Sequence, residues 1–153
     1  MEWLNNKIDA DIFELSQINN STLVDTGVLI IASSLHAGNL RKFKSFKSFI
    51  DNHQFDKLIV VGVGAAPFDQ QVIDNLKQNY QHEVDPKTHF IYLPGGLNYQ
   101  KMSLVDKLMM KAFSKVMKQR AKKGKFDSEW AQMLQKSYDI SDPKYLDAII
   151  NLL

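Results

Sequence analysis

The sequence contains no cysteine among its 153 residues, which excludes disulfide bonds, thiol nucleophiles and thiolate metal sites. Its four histidines are scattered, and their spacing matches no metal-ligand pattern. No apolar run approaches the roughly 20 residues that span a bilayer, and the N-terminal residues lack the order of a secretory signal. We therefore expect a cytoplasmic protein without metal or cysteine chemistry.

The composition is that of an ordinary globular domain. Hydrophobic residues make up 44% of the chain and charged residues 24%. A chain of this length buries roughly two-thirds of its unfolded surface. The sequence contains no internal repeat, low-complexity stretch or linker. Residues 1–153 are therefore predicted to form a single domain.

Two near-continuous apolar runs, Val28–Ala32 and Leu58–Val63, are rich in β-branched residues. Such runs are typical of strands that helices cover on both faces of a parallel sheet. A third run, Thr88–Leu93, leads into a Pro-Gly-Gly turn and predicts another strand that ends in a loop. The shorter segment Ala10–Leu15 mixes charged and apolar residues, so it suits an edge strand.

Helical patterns lie between these strands, and this alternation is the signature of βαβ units in an α/β fold. Apolar residues recur at helical spacing over 40–50 and 68–76. A longer helix is expected to begin after Ser103 and to run to about Lys122, followed by two shorter helices. The side of the long helix that we expect to pack on the sheet carries Leu104, Leu108, Met109, Ala112, Phe113, Val116 and Met117.

Positive charge is concentrated in Lys101–Lys125, which has nine Lys or Arg residues against one acid, Asp106. A helix with a basic face and an apolar side could lie on an anionic membrane surface as a peripheral contact. The alternative is a solvated basic face opposite a core-facing stripe. A nucleic-acid partner is not expected, because no aromatic platform or recognition motif accompanies the charge.

Catalytic motifs are sparse, and the sequence predicts no catalytic residue. It contains no nucleophile elbow, Walker loop or paired carboxylates at a telling spacing, and the Gly-Val-Gly-Ala-Ala-Pro segment at 62–67 is too short for a dinucleotide fingerprint. His36 is the one titratable group in a loop where proton transfer could matter, and a surface histidine without a role is the alternative.

Two segments resemble the flavodoxin-like family, especially its branch of quinone-dependent protoporphyrinogen oxidases. The segment from Ile30 to Leu40 is similar to the third strand and following loop of that family. The segment from Pro94 to Lys111 looks like the part that follows the family's last strand. Taken together, these segments extend the resemblance over most of the chain from Asp9 to about Lys123.

The resemblance implies a flavodoxin-like three-layer sandwich in which FMN lies beyond the carboxyl ends of parallel strands. It implies electron transfer or oxidoreduction with a redox partner or a quinone. The loops after the third and fourth strands would hold the flavin ring through small residues and backbone amides, with Leu35 or His36 covering a ring face. A helix cap after a buried strand is the alternative for the first loop. These cofactor-binding candidates are Ser33, Ser34, Leu35, His36, Ala37, Gly38, Gly64, Ala65, Ala66 and Pro67.

The chain departs from the family pattern at its N-terminus. Nothing in it corresponds to the first strand and the Ser/Thr/Gly-rich loop that binds the FMN phosphate, and Met1–Lys7 looks like the last turns of the first helix. We therefore expect an N-terminally truncated fold with weakened FMN binding. The alternative is a truncated relative without flavin, which serves as an interaction module or has no activity.

In the family's strand order, the absent strand would lie between Ala10–Leu15 and Val28–Ile31. Its absence would leave an open, apolar sheet edge. Four outcomes are compatible with this: direct pairing of those two segments, a homodimer across two edges, a strand from a separate polypeptide, or an internal or mistaken start at Met1. We favour a homodimer or a strand rearrangement over a monomer with a gap.

Overall fold

A computed structural model describes residues 2–18, 26–124 and 128–153 of the chain. It divides into two compact units. The first comprises Met1–Pro94 together with Ser141–Leu153, and the second comprises Gly95–Ile140. The first unit carries the parallel sheet, and the second is mainly helical. A single domain over the whole chain stays a prediction.

Parallel strands form the centre of the first unit, as the apolar runs predict. The chain passes through β1 (Thr26–His36), the two-residue β2 (Asn39–Leu40), β3 (Phe55–Gly64) and β4 (His89–Pro94). The order across the sheet is β2-β1-β3-β4, in which β2 alone is antiparallel. Because β3 lies between two parallel neighbours and under helices on both faces, its residues 59–61 are almost completely buried.

One face of the sheet is covered by α2 (Phe43–Asp51) and α3 (Gln70–Tyr80). Both helices occur where the apolar periodicity predicts them. The rings of Phe43 and Tyr80 pack with their centroids 4.2 Å apart. The core on this face, which we call the α2/α3 core, contains Ile31, Leu40, Phe43, Ile50, Leu58, Val60, Leu76 and Tyr80.

The other face is covered by both ends of the chain. These are α1 (Glu2–Asn5), a 3-10 turn over Pro143–Leu146 and the short helix α6 (Asp147–Ile150). Helices therefore flank a mostly parallel sheet, which confirms the predicted flavodoxin-like α/β fold. The core on this face, which we call the terminal core, contains Leu4, Ile59, Val61, Ile91, Leu146 and Ile149.

The predicted edge strand over Ala10–Leu15 is wrong. Residues 9–14 have no regular structure, and Leu15–Gln17 form a single 3-10 turn. Ile12 and Phe13 are exposed. A segment that mixes charged and apolar residues becomes a strand only where a neighbouring strand pairs with it, and no described strand pairs with this one. It does not pair with Val28–Ile31, so that proposed rearrangement does not form.

The second unit is built on α4 (Leu104–Lys122), which packs against α5 (Ser128–Met133). The Ser103 hydroxyl caps α4 by accepting a hydrogen bond from a backbone N–H in its first turn, as the sequence predicts. Two short antiparallel strands, β5 (Gly96–Leu97) and β6 (Tyr138–Asp139), join the ends of the unit. Its core contains Met117, Ala131 and Leu134, with Met110, Ala121 and Trp130 packed around them.

Most of the predicted apolar side of α4 lies outside the core of the second unit, although Met117 belongs to that core. Its packing on the sheet stays a prediction. Leu104, Val105 and Leu108 are 85%, 68% and 70% exposed. Because each residue turns the helix by about 100°, Met117 lies at the border of this side next to Met110, and these two methionines pack with Ala131 and Leu134. No helix of the described residues is long and apolar enough to cross a membrane. The exposed side, which we call the α4 apolar face, consists of Leu104, Val105, Leu108, Met109, Phe113 and Val116.

Candidate functional site

The two loops predicted from the sequence meet at the carboxyl edge of the sheet. β1 and β3 are parallel neighbours, and Ser34 lies opposite Val63 near their carboxyl ends. The residues that follow, 35–38 on one strand and 64–67 on the other, therefore emerge side by side. Open α/β sheets bind their ligands in this position.

The first loop is a β-hairpin, because β1 continues through Ser33 and Ser34 as far as His36. Ala37 and Gly38 then form a tight turn into β2, with φ angles of 49° and 81°. Two consecutive positive φ angles are what a two-residue type I′ hairpin turn requires. The sequence does not predict this turn, because alanine occupies the position where asparagine or aspartate is usual in a type I′ turn.

Three hydrogen bonds fix the hairpin to the rest of the unit. The Ser33 hydroxyl donates to the Arg41 carbonyl at 2.7 Å. The Arg41 N–H donates to the Ser34 carbonyl at 3.0 Å. In the α2/α3 core, the Leu40 N–H donates to the Tyr80 hydroxyl at 2.9 Å. The hairpin is therefore tied both to its own strand and to the end of α3.

Leu35 and His36, the two candidates for covering a ring face, have different surroundings. A Cβ atom on Gly62 would lie 3.2 Å from a Leu35 methyl group, so Leu35 packs over that glycine and into the α2/α3 core. His36 is exposed at the end of the strand, beside the turn residues Ala37 and Gly38. Of the two, His36 is therefore the side chain that a ligand could reach.

The second loop, Gly64–Pro67, is shaped by Tyr92 on β4. Tyr92 is only 1% exposed, and its hydroxyl donates to the Ala66 carbonyl at 2.6 Å. A Cβ atom on Gly64 would lie 2.9 Å from both Cε2 and Oη of Tyr92, so any larger residue there would force the tyrosine ring to move. Sequence reasoning missed this tyrosine. The available signal was a tyrosine in an aliphatic strand, next to a strand that contains two glycines.

The charged groups at this edge are mainly cationic on the hairpin side. Lys42 precedes α2 in a left-handed conformation, with φ of 57° and no side-chain cap. Arg41 and Lys44 are exposed beside it. On the other side, the Asp69 carboxylate caps α3 by accepting the Gln71 N–H at 2.8 Å. The helix end that follows β3 therefore already carries an anion of its own.

These features fit one part of FMN better than the other. The small residues at 64–66 let a planar ring approach the backbone, which suits the flavin ring. A phosphate dianion needs amides and hydroxyls that converge on one point, usually at a helix N-terminus. The connections after β1 and β3 provide a hairpin turn and an Asp-capped helix instead. The described residues of this edge therefore suit the ring and not the phosphate.

A mostly parallel sheet with helices on both faces and short loops at its carboxyl edge defines the doubly wound α/β class, whose members bind nucleotides and flavins. The chain matches the family described as "Flavodoxin domain" over residues 1–125. Because the match covers most of the chain, the protein belongs to the flavodoxin-domain family, which at family level comprises flavin-binding electron-transfer proteins. No curated protein and no solved structure matches the chain.

Proposed function

We propose that this protein binds FMN mainly through the flavin ring and serves as an electron carrier or oxidoreductase. The observation that carries the proposal is that the β1–β2 hairpin and the Gly64–Pro67 loop lie side by side at the carboxyl edge, in a chain of the flavodoxin-domain family. Bound FMN would supply transfer of one or two electrons.

The residues of this edge take distinct roles in the proposal. Gly64, Ala65 and Ala66 allow close approach to the backbone, and Tyr92 keeps that loop in shape through the Ala66 carbonyl. His36 is the exposed titratable side chain nearest the hairpin turn, so it would border the ring. The ring contacts supply most of the binding free energy, because neither connection provides a seat for the phosphate.

Comparing FMN with riboflavin tests whether the ring, and not the phosphate, supplies most of the binding free energy. Riboflavin has the same ring system without the phosphate, so we expect the two dissociation constants to agree within about 3-fold, or roughly 0.7 kcal/mol. Quenching of flavin fluorescence measures both. FMN binding about 100-fold tighter than riboflavin would show a phosphate seat and contradict the proposed mode. If neither flavin bound, the interaction module without flavin would replace the proposal.

A pair of matched variants locates the flavin. Ala65→Phe fills the space beside the loop and should weaken flavin binding by at least about 10-fold, because the ring would collide with the new side chain. Ala148→Phe makes the same change at an exposed position on α6 and should leave binding unchanged. Equal binding by both variants would place the flavin elsewhere.

The finer proposal is quinone-dependent oxidation like that of protoporphyrinogen oxidases. It is supported by the resemblance of the segments Ile30–Leu40 and Pro94–Lys111 to that branch. The flavin-loaded protein should oxidise protoporphyrinogen with a quinone as acceptor, and the appearance of porphyrin fluorescence measures the rate. A rate no higher than that of free FMN at equal concentration would reject this substrate.

We also propose peripheral contact with an anionic membrane surface through α4. The α4 apolar face is exposed, and at 100° per residue the side chains of Lys107, Lys111, Lys115 and Lys118 form one row along its border. An interfacial helix combines these two features, and each lysine near an anionic surface adds about 1 kcal/mol.

Vesicle sedimentation tests this contact. The protein should pellet with vesicles that contain about 30% anionic lipid, and much less with neutral vesicles. Leu104→Asp/Leu108→Asp should abolish pelleting, and Lys111→Glu/Lys115→Glu should weaken it by at least about 10-fold. All four residues are exposed, so these variants should fold normally. Equal pelleting with neutral and anionic vesicles would contradict the proposal.

A further inference from the structure

The outer edge of β1 has no neighbouring strand over most of its length within the described residues. β2 pairs with it only at Leu35 and His36, and the Arg41 N–H occupies the Ser34 carbonyl. From Gly27 to Ser33 no described strand covers this edge. The stretch contains no charge and no proline, so it lacks the features with which natural edge strands avoid pairing.

Both faces of β1 belong to a hydrophobic core, which restricts how a partner strand can join it. Leu29 and Ile31 pack with the α2/α3 core, whereas Val28 and Ile30 pack with the terminal core. A second copy related by a two-fold axis normal to the sheet would run antiparallel and extend both cores. Paired residues must then be an even number of positions apart, because side chains alternate between faces. The axis therefore passes through a residue and not between two.

The strand β2 limits which residue of β1 can lie on the two-fold axis. With the axis at Ile30, Thr26 would lie opposite the partner's Ser34, where Arg41 already fills the hydrogen-bonding position. An axis further along the strand makes this overlap worse. Moving the axis to Leu29 places Thr26 opposite Ala32, so that no described residue lies opposite the partner's Ser34.

We propose that the protein forms a homodimer in which the β1 strands of two copies pair antiparallel about Leu29. Leu29 then lies opposite its own copy, Val28 lies opposite Ile30, and Gly27 lies opposite Ile31. Every pair keeps apolar side chains on the same side of the sheet. The two sheets become one continuous sheet, and the edge from Gly27 to Ile31 gains hydrogen-bond partners.

The charges at the two ends of β1 favour this orientation. Near the start of the strand, Asp56 and Glu83 line an acidic cleft beside Gly27. At the other end, the exposed Arg41 and Lys42 follow β2. Antiparallel pairing brings the cationic end of each copy alongside the acidic end of the other, twice per dimer. A second copy therefore complements this edge in its hydrogen-bonding groups and in its charge.

Disulfide cross-linking tests the register, since the chain has no cysteine of its own. In Leu29→Cys the two introduced residues would be about 4.5–5.5 Å apart between Cα atoms, within the range of a disulfide. Mild oxidation should give a covalent dimer. Ala32→Cys is the matched control, because it lies six positions from its own copy, or about 20 Å. It should stay uncross-linked.

Two measurements do not depend on the cysteines. Sedimentation of the unaltered protein should give twice the chain mass, and the backbone amides of 27–33 should exchange slowly. Arg41→Glu/Lys42→Glu should raise the dimer dissociation constant by at least about 10-fold, and Lys111→Glu/Lys115→Glu on α4 should not change it. A monomer, or cross-linking of Ala32→Cys in preference to Leu29→Cys, would overturn the proposal. Flavin binding enters none of these results.

Discussion

Replacing Gly64 with alanine tests the contact that shapes the candidate flavin loop. The new Cβ atom would lie 2.9 Å from both Cε2 and Oη of Tyr92. Real Cβ contacts are longer than this, so the tyrosine ring would have to move. Tyr92 is only 1% exposed, so any displacement of its ring disturbs the packing around it. Its movement would break the 2.6 Å hydrogen bond to the Ala66 carbonyl.

The cost has two parts. Overpacking a well-filled site costs about 1–3 kcal/mol, and the lost hydrogen bond costs about 1 kcal/mol more. Gly64→Ala should therefore lower the free energy of unfolding by about 2–4 kcal/mol, which corresponds to a fall in Tm of roughly 5–12 °C for a protein of this size. Tyr92→Phe removes only the hydroxyl and should cost about 1 kcal/mol.

Thermal and urea unfolding of the unaltered protein, Gly64→Ala, Tyr92→Phe and the double variant checks this reasoning. Gly64→Ala and Tyr92→Phe break the same hydrogen bond, so its loss is counted only once in the double variant. The double variant should therefore lose about 1 kcal/mol less unfolding free energy than the sum of the losses in the two single variants. Gln78→Ala is the control, because the Gln78 side chain is exposed on α3. It should change stability by less than about 0.5 kcal/mol. Full stability in Gly64→Ala, or strict additivity, would refute the role assigned to Tyr92.

Two further predictions concern other hydroxyl groups. Tyr80→Phe leaves the buried Leu40 N–H without its acceptor, so it should cost about 1–3 kcal/mol in urea unfolding, and an unchanged midpoint would contradict the bond. Burial raises the pKa of the Tyr138 phenol above its usual value. That group therefore contributes stability below pH 10, which is lost as pH rises through the folded-state pKa. Circular dichroism between pH 9 and 11.5 should show a steeper loss in the native protein than in Tyr138→Phe.

The sequence predicts the centre of this fold well, because a strand that is buried on both faces requires a continuous run of apolar residues. The strand β3 contains the predicted run Leu58–Val63 and extends it by only a few residues. The helix α4 ends at Lys122, where it was expected. In both cases the pattern of apolar residues and the local start and stop signals agree.

The errors lie where a segment's structure depends on its neighbours. Ala10–Leu15 has the composition of an edge strand, and a strand also needs a partner that composition does not reveal. The periodicity of α4 identifies its apolar residues, and it does not tell that Met110 and Met117 are the ones that pack in the core of the second unit. The turn at Ala37-Gly38 depends on a left-handed alanine, which local propensity disfavours.

The β1–β2 hairpin links the candidate flavin site to the proposed dimer. Its turn at Ala37-Gly38 borders the carboxyl edge where the flavin ring would lie, and its return arm ends the open part of the β1 edge at Ser34. Because the two β1 strands would run antiparallel, the carboxyl edges of the two copies face opposite directions, so each copy keeps a complete site of its own. One short hairpin would therefore border the ligand on one side and set the register of the strand pair on the other.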